Sequence, residues 1–330
     1  MQQRFDTIIN FIGEQPIPNY VPVKWAKKHL GVNRTVSIFT ERTEKINERL
    51  NRFYSSKLKL ETESWKVDPY NMTETFNAIE NIVSKFDNTI FNLTGGTKPM
   101  TFAGYSLAMK YKFPFLYFQT EGGKMVIKMY DTKNSELPQL VENILIEGDI
   151  YNLEEYLAVH FDKFRKEEKR GHGGYFKDNI GEKLERGIME ILMQNGFEIM
   201  WGVNILSDIQ IDLFVRHGHY VGIVEVKKML KPTAINQISL PSRQVKLGTY
   251  IRRIIIGGPP KKESDMKNIL DRAELANCYV IRLDSIANDR ISEEDKEKLV
   301  SELRSWLENP KLEKIQKLKD TYCNKPIGGK

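Results

Sequence analysis

Thiol chemistry is almost missing from this chain. Cys278 and Cys323 are the only cysteines among 330 residues and no CxxC spacing occurs, so neither a disulfide framework nor a thiolate zinc site is expected. Long apolar runs are missing too. No stretch approaches the roughly 18 apolar residues of a membrane span, and no basic-then-apolar leader follows Met1, so neither membrane nor signal peptide is expected and the expected location is cytoplasmic. The nucleotide loops G-x-x-x-x-G-K-[ST] and GxGxxG are absent, as are internal repeats and low-complexity tracts, which excludes a Walker A site and a dinucleotide fingerprint. What remains is a globular composition, 40% hydrophobic and 28% charged. At 330 residues the chain suits two domains. Its net charge of +6 favours encounters with polyanions, although a solvated Lys-rich surface accounts for it equally well.

In the first half, strand-like runs at residues 7–12, 35–40, 59–66, 89–94, 113–119 and 125–130 alternate with helix-like stretches at 21–30, 45–53, 72–86 and 99–111. Strand and helix in alternation predict an α/β fold, a Rossmann-like parallel sheet covered on both faces by helices. Ligands of such sheets sit beyond the carboxyl ends of the strands. Residues 136–174 read as a helical, intensely charged linker ending in the glycine hinge Gly171-His172-Gly173-Gly174. The domains are therefore expected at 1–135 and 175–330. The second comprises a helix at 180–195, strands near 198–205, 209–215 and 220–226, a helix near 234–244, a strand at 250–256, a helix at 263–276 and a strand at 278–283. A helix opened by the capping sequence Ser292-Glu293-Glu294-Asp295 follows, then a basic helical tail at 311–330.

The run IQIDLFVRHGHYVGIVEVKK at residues 209–228 carries the chemistry. Period-two geometry puts Glu225 and Lys227 on one face of a strand, and a hairpin through Arg216-His217-Gly218-His219 brings Asp212 alongside. Carboxylates embedded in apolar strands cost several kcal/mol unless a cation compensates. Hard oxygen ligands on adjacent strands suit Mg²⁺ or Mn²⁺. Glu185, on the preceding helix, is the natural further acid, and Lys227 can neutralise a phosphate and position water. His217 and His219 lie at the far end of the hairpin and read as turn residues. Lys228, Lys231 and Arg243 could gather phosphates or be plain surface. Gln244 and Tyr250 could line the same site.

A second candidate site is Asn92-Leu93-Thr94-Gly95-Gly96-Thr97-Lys98-Pro99-Met100, at the junction of a strand and a helix. Glycines let backbone approach an anion, the helix N-terminus offers free N–H groups, and Lys98 adds a charge. Loops at 13–19 and 40–43 should fall on the same sheet edge.

Asp212, Glu225 and Lys227, with Glu185 as the helix acid, resemble the signature of the PD-(D/E)xK nuclease superfamily, a restriction-endonuclease-like α/β fold. The T-G-G-T-K-P run, on a Rossmann-like domain that precedes such a unit, resembles the CRISPR-associated Rossmann fold (CARF) family, and in particular the CRISPR ancillary nucleases that join one sensor to one nuclease. That resemblance implies a homodimer whose sensor domains share a pocket for a cyclic oligoadenylate, most often cyclic tetra-adenylate. It further implies activated, metal-dependent cleavage of DNA or RNA in type III CRISPR antiviral defence, with Glu185, Asp212 and Glu225 as metal ligands and Lys227 as a catalytic partner. By position, Gln15, Pro18, Asn19, Thr40, Gly95, Gly96, Thr97, Lys98 and Met100 become the pocket residues. The rival readings are a constitutive restriction or repair nuclease and a non-catalytic CARF regulator.

Overall fold

A computed structural model describes residues 4–121, 124–133, 136–166, 180–205, 209–238, 247, 251–288 and 290–323. His172 and its glycines, Arg243, Gln244, Tyr250 and the last seven residues of the tail lie outside the described residues. The chain divides into two units, Met1–Asp162 and Lys163–Lys330.

The first unit is built on strands β1 (Thr7–Phe11), β2 (Arg34–Phe39), β3 (Glu61–Lys66), β4 (Thr89–Asn92), β5 (Phe115–Glu121), β6 (Lys124–Asp131) and β7 (Gln139–Leu145). Their order in the sheet is β3-β2-β1-β4-β5-β6-β7. Neighbours from β3 to β5 run parallel, and β6 and β7 are antiparallel. The expectation of a wholly parallel sheet is corrected here, because the connection from Glu121 to Lys124 is too short for anything but a hairpin. Helices α1 (Ile17–His29), α2 (Glu44–Ser56) and α5 (Leu153–His160) belong to one side of the sheet, α3 (Met72–Val83) and α4 (Lys98–Tyr111) to the other. Alternate residues of the central strands, Ile9 and Phe11, Val36 and Ile38, Phe91 and Leu93, form the core beneath α3 and α4 with Ile79, Ile82 and Leu107.

Residues 136–162 correct a second expectation. Leu140, Val141, Ile144 and Leu145 carry helical spacing, yet this segment is the edge strand β7, paired with β6 across a bulge at Met129/Tyr130. An open sheet edge offers a ladder of backbone partners that side-chain periodicity cannot reveal. Helix α5 follows, opened by a reciprocal cap in which Asn152 accepts from Glu155 N–H and the Glu155 side chain from Asn152 N–H. Glu155 also takes the Lys24 ammonium at 2.8 Å.

The second unit holds β8 (Phe164–Lys166), α6 (Ile180–Gln194), β9 (Glu198–Ile205), β10 (Ile209–His217), β11 (Tyr220–Lys227), β12 (Arg252–Gly257), α7 (Asp265–Leu275), β13 (Cys278–Arg282), α8 (Glu293–Glu308) and α9 (Leu312–Cys323). Residues 234–238 are also helical. The sheet order is β13-β12-β11-β10-β9-β8, with β11, β12 and β13 parallel and the others antiparallel. Helix α6 packs on β9, β10 and β11, and α8 on β11, β12 and β13. The Ser292 side chain caps α8 by accepting from Asp295 N–H at 3.2 Å, and Trp306 of that helix stacks on Tyr279 at 4.8 Å.

Under the strand ends of the first unit runs a buried polar ladder. Asn10 donates to Thr35 at 2.8 Å, and Asn92 donates to Asn10 at 3.0 Å and to the Pro18 carbonyl at 3.2 Å. All three side chains of this ladder are fully buried. An amide removed from such a network leaves its partners unsatisfied in low dielectric. Asn92→Ala should therefore destabilise the protein by about 2–3 kcal/mol in denaturant titration. A loss below ~0.5 kcal/mol would show that the ladder contributes no net stability.

Candidate functional sites in the two units

In the second unit the chemistry is set by strand register. Leu213 pairs with Val224 and His217 with Tyr220 in the β10–β11 hairpin, so its turn is the two residues Gly218 and His219. Gly218 has φ +59°, which a two-residue hairpin turn favours. Continued by one position, the same register sets Asp212 opposite Glu225. Cross-strand partners share a face, so Asp212 and Phe214 lie beside Ile223, Glu225 and Lys227. His217 is five residues from Asp212, about 16 Å along the strand, and His219 lies beyond it in the turn. His217 there meets Glu308 at 3.1 Å, and His219 packs on Tyr220.

Each charged group of the cluster has a partner. Asp212 Oδ2 accepts the Val226 N–H at 2.8 Å, Lys227 Nζ pairs with Glu225 Oε1 at 2.5 Å, and Trp201 Nε1 donates to Glu185 Oε2 at 2.8 Å. Burial raises the Asp212 carboxyl above its ordinary range. It also raises that of Glu225, helped by the negative charge of Asp212 and opposed by Lys227. Burial, and then the charges of Asp212 and Glu225, push Glu185 up to about 7 against the indole hydrogen bond. Three acids in one field thus resist full ionisation.

A hard divalent cation fits this donor set in kind. Among the described residues no three His, Cys, Asp or Glu side chains form a ready-made metal cage. Mg²⁺ needs none, since one or two carboxylates with waters and substrate phosphates satisfy it. Asp212 and Glu225 would be that pair, and a cation between them would offset the burial that raises both carboxyls. Trp201, which anchors the helix acid, carries no motif signal, so sequence reasoning had nothing to find it by.

In the first unit the sheet order reverses between β1 and β4, and the loops after both strands open into one crevice. A cavity of about 500 Å³ there is lined by Gly13, Thr40, Arg42, Tyr70, Gly96 and Thr97 among others. Thr40 and Thr43 form a reciprocal cap at the end of β2, and Thr97 Oγ1 donates to the Pro69 carbonyl at 2.6 Å, which ties the loop after β3 to the start of α4. Gly95 has no room for a side chain, because a Cβ would stand 2.1 Å from the Phe11 carbonyl oxygen.

Of the nine pocket candidates, Thr40, Gly96 and Thr97 line this cavity. Met100 does not, and is corrected to a core residue. It is fully buried in the apolar cluster, because the third position of α4 turns toward the sheet. Asn19 is likewise structural, donating to the Phe11 carbonyl at 2.8 Å and accepting from Gly13 N–H at 3.3 Å. Gln15, Pro18, Gly95 and Lys98 stand outside the lining, with Lys98 exposed on the first turn of α4. Tyr70 was missed. It lies in the loop after β3, where the strand-end rule could have found it, and is 82% exposed.

Residues 7–156 match the family of the Card1 CARF domain. The first unit is a CARF domain. Fold comparison extends the likeness to both units. Can2 from Sulfobacillus thermosulfidooxidans, solved in complex with cyclic tetra-adenylate, aligns with a TM-score of 0.64 and 16% identity, over 92% of this chain and 97% of that one. Protein VC1899 from Vibrio cholerae aligns with a TM-score of 0.63 and 12% identity, over 92% and 98%. A type III CRISPR defence DNA nuclease activated by cyclic oligoadenylate aligns at 0.53 and 14%, over 80% of this chain and 48% of its own length. No curated protein matches the chain. The architecture, a CARF domain followed by a second α/β unit, is the fold that Can2 and VC1899 share with more than nine-tenths of this chain.

The raised pKa of Glu185 makes a signed prediction. Its folded value, about 7, lies above the ordinary 4.5, so the folded state holds the extra proton and stability from this group falls as pH rises from about 4.5 through 7. In metal-free buffer Glu185→Gln should raise Tm at pH 8.5 and leave it unchanged near pH 4.5. After discounting for solvent screening, a gain of about 1 kcal/mol corresponds to ~2–4 °C by thermal scan. A gain confined to the acid side would reverse the assignment.

Proposed function

We propose that this protein is an endonuclease of type III CRISPR antiviral defence, activated by cyclic tetra-adenylate and dependent on Mn²⁺ or Mg²⁺, which cleaves DNA or RNA as a homodimer. The observation that carries the proposal is the pairing, in one chain, of a CARF crevice with the Asp212, Glu225 and Lys227 cluster. The ligand named for Can2 and the activity named for the type III CRISPR nuclease support it.

The crevice chemistry suits an oligoadenylate. Gly96 and Thr97 bring backbone to the start of α4, where N–H groups and the helix dipole favour a phosphate. The exposed Tyr70 ring offers a stacking face for a base. A ring with two-fold symmetry presents the same groups twice, so two copies of the crevice would clasp it isologously. Driving an inactive arrangement from 1:99 to 99:1 in favour of the active one takes about 5.5 kcal/mol of differential affinity.

In the nuclease unit, Asp212 and Glu225 would hold the cation, with support from Glu185. The bound cation supplies Lewis-acid polarisation of the phosphate and a water of lowered pKa. The Val226 N–H fixes the Asp212 carboxylate so that no reorganisation accompanies the reaction. The Lys227 ammonium, which pairs with Glu225 Oε1, would face the charge that develops on the phosphate oxygens. Glu185, whose Oε2 accepts the Trp201 indole N–H, would support the cation through its other carboxylate oxygen.

The test is cleavage of supercoiled plasmid and labelled single-stranded DNA and RNA with Mn²⁺, with and without cyclic tetra-adenylate. Cleavage should require the activator, and Glu225→Ala and Lys227→Ala should each reduce it at least ~10²-fold. Activity without activator would favour the constitutive reading, and no activity on any substrate the regulatory one. Tyr70→Ala should weaken binding of cyclic tetra-adenylate about 10-fold by calorimetry, in keeping with roughly 1–3 kcal/mol per stacked base. Unchanged affinity would remove Tyr70 from the pocket.

A further inference from the structure

Beside the acid cluster, the regular alternation of β9 is broken. Ile211 pairs with Val203 and Leu213 with Trp201, so Gly202 stands directly opposite Asp212. Gly202 is buried and has φ +58°, a left-handed conformation inside a strand. Glycine adopts it without steric cost, and a glycine in a strand interior marks a bend or a close approach. Leu213 also pairs with Val224, so an undistorted strand would put Trp201 on the sheet face away from Asp212 and Glu225.

The indole goes elsewhere. Its Nε1 donates to Glu185 Oε2 on α6 at 2.8 Å, and Glu185 shares the electrostatic field of Asp212, Glu225 and Lys227. A tryptophan that served only to seat α6 on β9 would need its rings and not its N–H. The bond occupies one carboxylate oxygen of Glu185 and leaves Oε1 for a cation. A carboxylate held in this way is a one-oxygen donor. That suits Mg²⁺ or Mn²⁺, which take an octahedral set of oxygens, better than Ca²⁺, which takes more oxygens and often a bidentate carboxylate.

We propose that Trp201, aimed by the left-handed bend at Gly202, is a positioning residue that holds Glu185 to a single available oxygen and so favours a small octahedral cation over Ca²⁺. The inference rests on the nuclease reading, in which Glu185 supports the cation. It adds the residue that orients this acid and the selectivity that follows. Residues that hydrogen-bond a metal-binding side chain fix its direction, and their loss typically costs about 10–100-fold in metal affinity. Without the indole N–H the carboxylate is free to turn and to offer both oxygens, which weakens the hold on the smaller ion and spares the larger one.

The test is calorimetric titration of the full-length protein with Mn²⁺ and, separately, Ca²⁺. Wild type is compared with Trp201→Phe, which keeps an aromatic ring and loses the N–H, each with Glu185 intact and with Glu185→Ala. With Glu185 intact, Trp201→Phe should weaken Mn²⁺ binding about 10-fold and Ca²⁺ binding by less than about 2-fold. With Glu185→Ala in place it should change neither, since the effect passes through that carboxylate alone. Gly202→Ala should reproduce the pattern of Trp201→Phe, and if it lowers Tm by more than about 5 °C, Trp201→Phe decides alone. In cleavage assays the Mn²⁺ concentration for half-maximal rate should rise in the same proportion, while the rate at saturating Mn²⁺ stays within about 3-fold of wild type. Unchanged Mn²⁺ affinity in Trp201→Phe, equal losses for Mn²⁺ and Ca²⁺, or the same loss with Glu185→Ala in place would each overturn the inference. Wild-type protein that binds Mn²⁺ and cleaves with activator keeps the nuclease reading whatever the Trp201 variant does. Wild-type protein that binds no Mn²⁺ sinks that reading, and this inference with it.

Discussion

Placing carboxylates at the end of an apolar hairpin is the constraint around which the second unit is organised. Asp212 is flanked by Ile211 and Leu213, and Glu225 by Val224 and Val226, all buried. Side chains alternate at period two, so core residues and acids cannot be separated by moving either strand. A slip of one residue would exchange their faces. The fold accepts the acids by giving each a local partner, the Val226 N–H for Asp212 and the Lys227 ammonium for Glu225. Burial still leaves both carboxyls raised, which is the condition under which a cation is attracted. Functional sites commonly carry this kind of unresolved electrostatic cost.

The CARF domain meets a comparable problem with neutral groups. Loops that leave the ends of parallel strands must expose backbone to a ligand while the strands themselves stay buried. Asn10, Asn92 and Thr35 satisfy one another inside the sheet, Asn19 pins the loop after β1 to the Phe11 carbonyl, and Thr94 accepts the Phe118 N–H at 2.8 Å. Strand ends held this firmly let Gly96 and Thr97 present backbone without a side chain intervening. Gly95 completes the arrangement by allowing its loop to lie directly against Phe11.

Much of this was legible in the chain because it depends on short-range rules. A two-residue turn at Gly218-His219 has only a few compatible registers, and one of them sets Asp212 opposite Glu225. The capping sequence at Ser292 stops at a defined residue for the same local reason, a side-chain oxygen three residues before a free N–H. Legibility failed where one pattern served two structures. Leu140, Val141, Ile144 and Leu145 would suit one side of a helix, but the unpaired edge of β6 recruited their backbone. Asn19 and Met100 lie in the right loops, yet one is spent on bracing and the other on the core. Which way a residue faces at the start of a helix depends on what packs beneath it.

From its sequence alone this protein was bound to contain an α/β sensor-like half and a hairpin bearing two acids and a lysine, because strand alternation, turn chemistry and helix caps act over a few residues. The tertiary structure decided which residues reach each cavity. It set Tyr70 at the CARF crevice and drew Trp201 onto Glu185. Those relations join residues that stand far apart along the chain, and they arise only when sheets and helices pack, since the direction of a side chain is fixed by the surfaces it must fill.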